Sequence, residues 1–396
     1  MRESRTQLVE ITGHIYPDES MAHRGRRRAV LEDQERRTEI WFELHGDGSD
    51  GEDRDRAVSA EFADIYVISS TMHWMHKGGR VHIHGRVTHE LLRNLEEWQA
   101  VWLRWRPDAY HHVIFSADEV VNRSPQSTRA IAAFSGGLDA MFTLARHSLG
   151  NAGWQSQDIR AVLMVQGFDI PLSEPEQFER AIQRAREVAA RFDRPVLSAS
   201  SNFRELDQKW EDAHALGIAA ALHLVAPEYG IGLIGSGKPY DELRLPWGSS
   251  PLTDHLLSSG LQTEVHDGAG SSRTEKALVL QQVPELVKHL RVCWQGELHD
   301  RNCGRCEKCL RTYWNLRASG VEPSCFTEVQ KNPMTVITGP RGIAEWESIL
   351  RAARQNRNVA AARFSRVVVA HNRLRKAVRA IPPLRWAADA ARGRRA

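Results

Sequence analysis

The sequence predicts an α/β fold in which a parallel sheet carries helices on both faces. Three observations point there. Between residues 125 and 325, short apolar runs alternate with longer stretches at helical spacing, the pattern of repeated strand-helix-strand units. The first run, Ala130 to Phe134, ends at Ser135-Gly136-Gly137 and passes straight into apolar positions Leu138, Met141, Phe142 and Ala145, which reads as strand, tight loop, helix. A chain of 396 residues with 41% hydrophobic and 26% charged content has the balance of a globular protein with room for more than one core.

Residues 1–124 read as a small α+β domain. Thr38 to His45, Tyr66 to Ser69 with their neighbours, Arg80 to Val87 and His111 to Phe115 are expected as strands. His89 to Leu103 is expected as a helix, with Leu91, Leu92, Leu95, Trp98 and Trp102 at 3-to-4 spacing. Gly46 to Arg56, rich in Gly and Asp, is a loop. His82 and His84 share one strand face, with His73 and His76 close by. The spacing supplies no carboxylate or further ligand, so these read as surface or half-buried strand histidines.

Residues 125–325 form the main domain, entered through the polar linker Arg123 to Arg129. After the first strand and helix come Ile159 to Gln166 as a buried strand and Ser173 to Phe192 as a helix, with Ser173 as N-cap. Pro195 to Ala199, Gly230 to Ile234 and Thr263 to His266 are further strands; Asp212 to Ala226 and Ser272 to Gln282 are further helices. Gly232 to Pro239 (GLIGSGKP) approaches the Walker pattern, but proline in the last position removes the hydroxyl and an N–H and disfavours helix at Lys238.

The chemistry concentrates in two places. Glycine lets a backbone approach phosphate oxygens, and the free N–H groups of a helix start then face the anion. Ser135 adds a hydroxyl, and a carboxylate at Asp139 makes sense in such a loop if it holds Mg²⁺. Ser135-Gly136-Gly137-Leu138-Asp139 resembles the S-G-G-x-D-S loop of the PP-loop ATPases (adenine nucleotide alpha hydrolase-like), which adenylate a substrate and release pyrophosphate. Ala140 stands where that motif has its last serine.

The second place is Cys293, Cys303, Cys306 and Cys309. Thiolates two residues apart can grip one Zn²⁺ while Cys293 closes the tetrahedron, and four thiolates leave no open position, as in a structural site. An iron–sulfur cluster is the lesser alternative, and Cys325 reads as a core thiol. Loop and knuckle together resemble the QueC family, the 7-cyano-7-deazaguanine synthases, over roughly Ala130 to Gly320. That resemblance implies ATP-dependent activation of a small carboxylate, attack by ammonia to an amide or nitrile, and a phosphate site made of Ser135, Gly136, Gly137, Leu138 and Asp139. Asp169 then falls where the family binds adenosine, Gly235 and Lys238 line the pocket, and Arg273 and Lys276 are the cations expected at the phosphates. Asp254, His255 and His266 are candidate polar residues of the same pocket.

Two segments depart from that family: Leu245-Pro246-Trp247-Gly248-Ser249-Ser250-Pro251-Leu252-Thr253-Asp254, and Trp210-Glu211-Asp212-Ala213-His214. Both shape the substrate end, so the ATP chemistry carries over better than a deazapurine substrate. Alternatives are a PP-loop tRNA-modifying enzyme and a non-catalytic ATP- and zinc-binding paralogue of a biosynthetic or phage-defence operon.

Residues 326–396 are a C-terminal extension with a basic tail. Arg351 to Ala396 holds thirteen Lys or Arg against Asp389 alone; that +12, set against +3 for the whole chain, leaves −9 for the rest. Such a tail reads as partly disordered, or as a contact for nucleic acid, anionic membrane or an acidic partner, and Val359 to Ala380 can form an amphipathic helix ended by Pro382-Pro383 before Trp386. The start, MRESRTQLVE, has no apolar leader and no span of membrane length follows, so a cytoplasmic location is expected, with a homodimer compatible with these features.

Overall fold

The computed structural model describes residues 12–18, 20, 25–45, 61–293 and 295–380. The Gly46 to Arg56 loop, Pro382-Pro383 and Trp386 lie outside them. The chain divides into two compact units, Met1–Gly270 and Ser271–Ala396.

The first unit is α/β. Its strands are β1 (Thr12–Asp18), β2 (Arg26–Glu32), β3 (Arg37–His45), β4 (Gly79–Thr88), β5 (Val113–Val121), β6 (Ala130–Ala133), β7 (Ile159–Gln166), β8 (Val196–Ser201), β9 (Ile231–Gly235) and β10 (Thr263–Asp267). Its helices are α1 (Asp64–Met75), α2 (His89–Trp105), α3 (Leu138–Ser148), α4 (Pro175–Ala190) and α5 (Trp210–His223). The strands make one ten-stranded sheet in the order β10-β9-β6-β7-β8-β3-β2-β1-β4-β5. Neighbours from β10 to β8 are parallel, as are β1, β4 and β5; β2 and β3 are inserted antiparallel between these two parallel blocks.

The expected boundary near residue 124 therefore falls between two strands of one sheet. The join is β3 against β8, where Phe42 pairs with Ser201 and His45 with Ser198. Asn202 closes it, its side-chain oxygen accepting from the Trp41 N–H at 2.9 Å and its amide donating to the Glu39 carbonyl at 2.9 Å.

Helices cover both faces beside β10. Alternate residues of a strand point to opposite faces, so Glu264 and Asp267 face apart. Glu264 meets His223 of α5 at 3.4 Å, whereas Asp267 accepts from the Thr143 hydroxyl of α3 at 2.7 Å.

Two local expectations are corrected. Tyr66 to Ser69 is helix, not strand: all of α1 is buried, so its apolar run has no polar face to reveal a helical period. The N-cap of α4 is Glu174 rather than Ser173, with Pro175 at the first helical position.

The second unit is helical: α6 (Arg273–Val279), α7 (Glu307–Ala318), α8 (Pro340–Gln355) and α9 (Val359–Ala380). A capping box between Ser272 and Glu275 starts α6. Leu310, Trp314, Trp346, Ile349, Phe364 and Val368 from α7, α8 and α9 share one core. The tail helix is thus partly a core element, with Phe364 and Val368 buried while Val367, Leu374 and Val378 are exposed. Among the described residues no helix is long and apolar enough to cross a membrane.

Candidate functional site

In a parallel sheet the carboxyl ends of the strands lie along one edge, and ligands bind beyond that edge. In the first unit this edge carries the Ser135 loop after β6, Phe168-Asp169 after β7, Phe203 after β8, Gly235 to Lys238 at the end of β9 and His266 near the end of β10.

The loop itself is set by two glycines. Gly136 adopts φ +76°, a left-handed conformation that a Cβ disfavours, and Gly137 is the N-cap of α3 with extended backbone. Gly137, having no side chain, supplies no cap of its own to the start of α3, and a helix start of this kind is suited to an anion. Ser135 is exposed, and its hydroxyl accepts from the Gly137 N–H at 3.3 Å. Gly235 lies against this turn: a Cβ there would stand 3.1 Å from the Asp139 carbonyl oxygen. The structure thus brings Ser135, Gly136, Gly137, Leu138, Asp139 and Gly235 together.

Beneath the loop, Asp267 anchors α3 through Thr143, through His147 at 3.2 Å and through the Arg146 guanidinium at 3.3 Å. Burial alone would raise the Asp267 pKa. The hydrogen bonds from His147 and Thr143 and the Arg146 charge outweigh it and hold the carboxyl below its ordinary range.

Lys238 sits in a closed turn rather than a phosphate cradle. The Ser236 hydroxyl donates to the Lys238 carbonyl at 2.6 Å, and Tyr240–Glu242 is only a short 3-10 turn, so no Walker-type helix follows.

The two segments that depart from the QueC pattern meet each other. The Gly248 N–H donates to the Glu211 carbonyl at 2.9 Å, and the Trp247 and His214 rings lie 5.3 Å apart. Phe168, Phe203 and Trp210 extend this aromatic wall, with the Arg204 guanidinium over Trp210. Burial lowers the His214 pKa, while the nearby Asp254 and Asp169 charges oppose that shift, so Asp169 belongs to this end of the edge.

Asp254 is the polar centre. One carboxylate oxygen accepts from the Ser250 N–H at 2.9 Å; the other accepts from the Ser249 hydroxyl and lies against His266 Nδ1, both at 2.7 Å. The other ring nitrogen of His266, Nε2, is buried and has no hydrogen-bond partner among the described residues. Ser249 was not anticipated as part of this group.

Among protein-family models, curated proteins and solved structures, none matches the chain.

In the second unit, Cys293, Cys303, Cys306 and Cys309 converge, with their sulfurs within 4.8 Å of one another. Sγ of Cys293 lies 3.8 Å from that of Cys306, and Cys303 lies 3.8 Å from Cys309. Zn–S bonds of about 2.3 Å at tetrahedral angles require sulfurs about 3.8 Å apart, a spacing these two pairs already have, so the cluster could hold zinc. Backbone N–H groups of Cys306 and Cys309 donate to the sulfurs of Cys303 and Cys306 at 3.3 and 3.4 Å. Gly304 turns the knuckle at φ +65°, where a Cβ would collide with the Glu328 carbonyl.

Asn302, which the cysteine spacing does not reveal, fastens the two arms. Its side-chain oxygen accepts from the N–H groups of Val292 and Cys293, and its amide donates to the carbonyls of Leu290 and Cys325. Burial pushes the Cys325 thiol up to about 12, as befits a structural rather than a ligating sulfur. Arg273 and Lys276 lie on α6 in this unit; Arg273 is ion-paired with Glu345 at 2.8 Å, and Lys276 is buried.

Proposed function

We propose that the chain is a QueC-like PP-loop enzyme that uses ATP to activate a small carboxylate, with AMP and pyrophosphate as products, and passes the acyl group to ammonia. The observation that carries this reading is the turn from β6, which lies between β9 and β7, into α3: a left-handed Gly136 and an extended Gly137 N-cap at the carboxyl edge of the parallel strands.

In this reading the Ser135 hydroxyl and the N–H groups at the start of α3 gather phosphate oxygens and stabilise the charge that builds on the departing pyrophosphate. The Asp139 carboxylate suits Mg²⁺, a hard cation that takes oxygen ligands. Bound Mg²⁺ would offset phosphate charge. A substrate carboxylate oxygen attacks the α-phosphorus and pyrophosphate leaves; ammonia then attacks the acyl carbon and AMP leaves, giving the amide.

The attacking amine must lose a proton. In this reading the Asp254–His266 pair at the same edge is the group that would accept it. The wall of Phe168, Trp210, His214 and Trp247 suits a planar carboxylate more than a chain-like one.

The test is pyrophosphate release from Mg-ATP by the purified full chain, screened against carboxylates including 7-carboxy-7-deazaguanine, beside Asp139→Ala. AMP and pyrophosphate formed only with a carboxylate, and lost in the variant, support the reading. ADP and phosphate as products would overturn it; ATP binding without any turnover would point instead to a non-catalytic paralogue.

A further inference from the structure

The histidines of the first unit find on neighbouring strands the carboxylate that their own strand lacks. β1, β4 and β5 run parallel, with His14 opposite His82 and His82 opposite Ser116. Ile15 and Ile83, one residue on, are buried in the core, so His14 and His82 point to the other face of the sheet. His84 and Asp118 follow two residues along their strands, and all four side chains gather there. His73 and His76, by contrast, belong to α1 and its C-cap and stand apart from this group.

We propose that His82, His84 and Asp118 form a second metal site, for a first-row divalent ion of the zinc, cobalt or nickel class. One ligand atom from each lies within 4.8 Å of the others. His82 Nε2 is 2.9 Å from Asp118 Oδ1. Nitrogen and oxygen ligands at about 2.0–2.1 Å from a tetrahedral ion sit about 3.3 Å apart, so a small opening of this pair admits the metal.

The rings are already oriented. His82 Nδ1 is hydrogen-bonded to the Ser116 hydroxyl at 3.0 Å, the outer contact that fixes a ligating imidazole. Tyr16 stacks on His84 with centroids 4.2 Å apart and planes 4° apart, and His14 Nδ1 lies 3.1 Å from His84 Nε2. Two imidazoles and a carboxylate select borderline transition metals over magnesium or calcium, which prefer all-oxygen sets. Three protein ligands on an open face leave a coordination position for water or a further ligand.

The site is independent of the ATP reading and of the cysteine knuckle, and cobalt separates them. The metal-free full chain is titrated with Co²⁺. Two equivalents are expected. One gives the intense near-ultraviolet absorption of thiolate ligation and disappears in Cys306→Ser; the other gives only weak visible bands and disappears in the double variant His82→Ala/His84→Ala. Because that variant could disturb the sheet, Asp118→Asn on the exposed edge is the second test, with at least a tenfold weakening of the second equivalent and an unchanged circular dichroism spectrum. A single equivalent with only the thiolate spectrum would overturn the proposal. So would a second equivalent that persists in the double variant, or that binds more weakly than about 100 µM, as expected of adventitious surface imidazole.

Discussion

Gly248 rests directly on His214. A Cβ built at Gly248 would stand 2.5 Å from His214 Nδ1 and 2.7 Å from the Asp212 carbonyl oxygen. The contact joins the loop before Asp254 to the first turns of α5, so the two stretches that set this chain apart from the QueC pattern form one packed wall. Gly248→Ala is expected to cost about 1–3 kcal/mol of stability by overpacking. Chemical denaturation checks the loss. If the wall also bounds the substrate, the variant raises the KM for the carboxylate more than that for ATP.

Much of the parallel half was legible because each run there is short and bounded by glycine, proline or polar residues. Ile159–Gln166 matches its expected strand to the residue, and Val359–Ala380 its expected helix. Legibility failed at α1, whose burial hides its period, and also at β2 and α8, although β2 alternates buried and half-buried residues and α8 is amphipathic. All of α1 is buried, so Tyr66 to Ser69 looks like a strand; β1, β2 and α8 were not anticipated at all. It failed again where contact is long-range: nothing local to β3 announces its pairing with β8, and nothing local to His82 announces Asp118 on the next strand. The cysteine set was readable because all its ligands fall within Cys293 to Cys309, whereas Asn302 acts through backbone groups that any residue would offer.

Gly136 is the loop position at which the φ angle decides the outcome. Gly136→Ala places a Cβ at φ +76°, which costs about 1–2 kcal/mol in that conformation. If the loop holds phosphate as proposed, the expected result is a modest drop in melting temperature together with a much larger loss of ATP affinity, since relief of the strain rotates the Gly136–Gly137 peptide away from the proposed phosphate position. Equal losses in stability and nucleotide binding would mean that the loop serves only as a connection.

The cysteine knuckle makes a stability prediction that needs no substrate. Bound structural zinc contributes on the order of 10 kcal/mol to the folding of small zinc modules, and losing one of four ligands forfeits much of it. Cys309, buried at the start of α7 and adjacent to Leu310 of the helical core, is the ligand most tightly tied to that core. Cys309→Ser is expected to lower a calorimetric unfolding transition by many degrees, with the loss of the one zinc per chain that gives a thiolate spectrum on cobalt exchange; a strong chelator on the native chain should lower the same transition. Cys325→Ser leaves zinc content unchanged, because Cys325 lies outside the ligand cluster.

His73 provides a pH dependence whose sign can be worked out. It is 3% exposed on α1, stacked edge-on against Trp74, and burial lowers its pKa to about 4, with the neighbouring Lys77 charge adding to the shift. In the unfolded chain the same imidazole titrates near its ordinary 6.5. A lowered histidine pKa means that the unfolded state takes up the proton first. The folded state therefore keeps its full stability above about pH 6.5 and loses it progressively as the pH falls towards 4, by up to about 3 kcal/mol over that window. His73→Phe puts a ring that cannot titrate in the same place, and should flatten the fall in denaturation midpoint between pH 7 and pH 5. The stability lost below pH 4 should survive the substitution, because Asp267, whose carboxyl pKa is held low in the folded state, contributes stability that disappears only as the pH drops through its own folded value. A variant whose midpoint still falls as steeply between pH 7 and pH 5 would place the titrating group elsewhere.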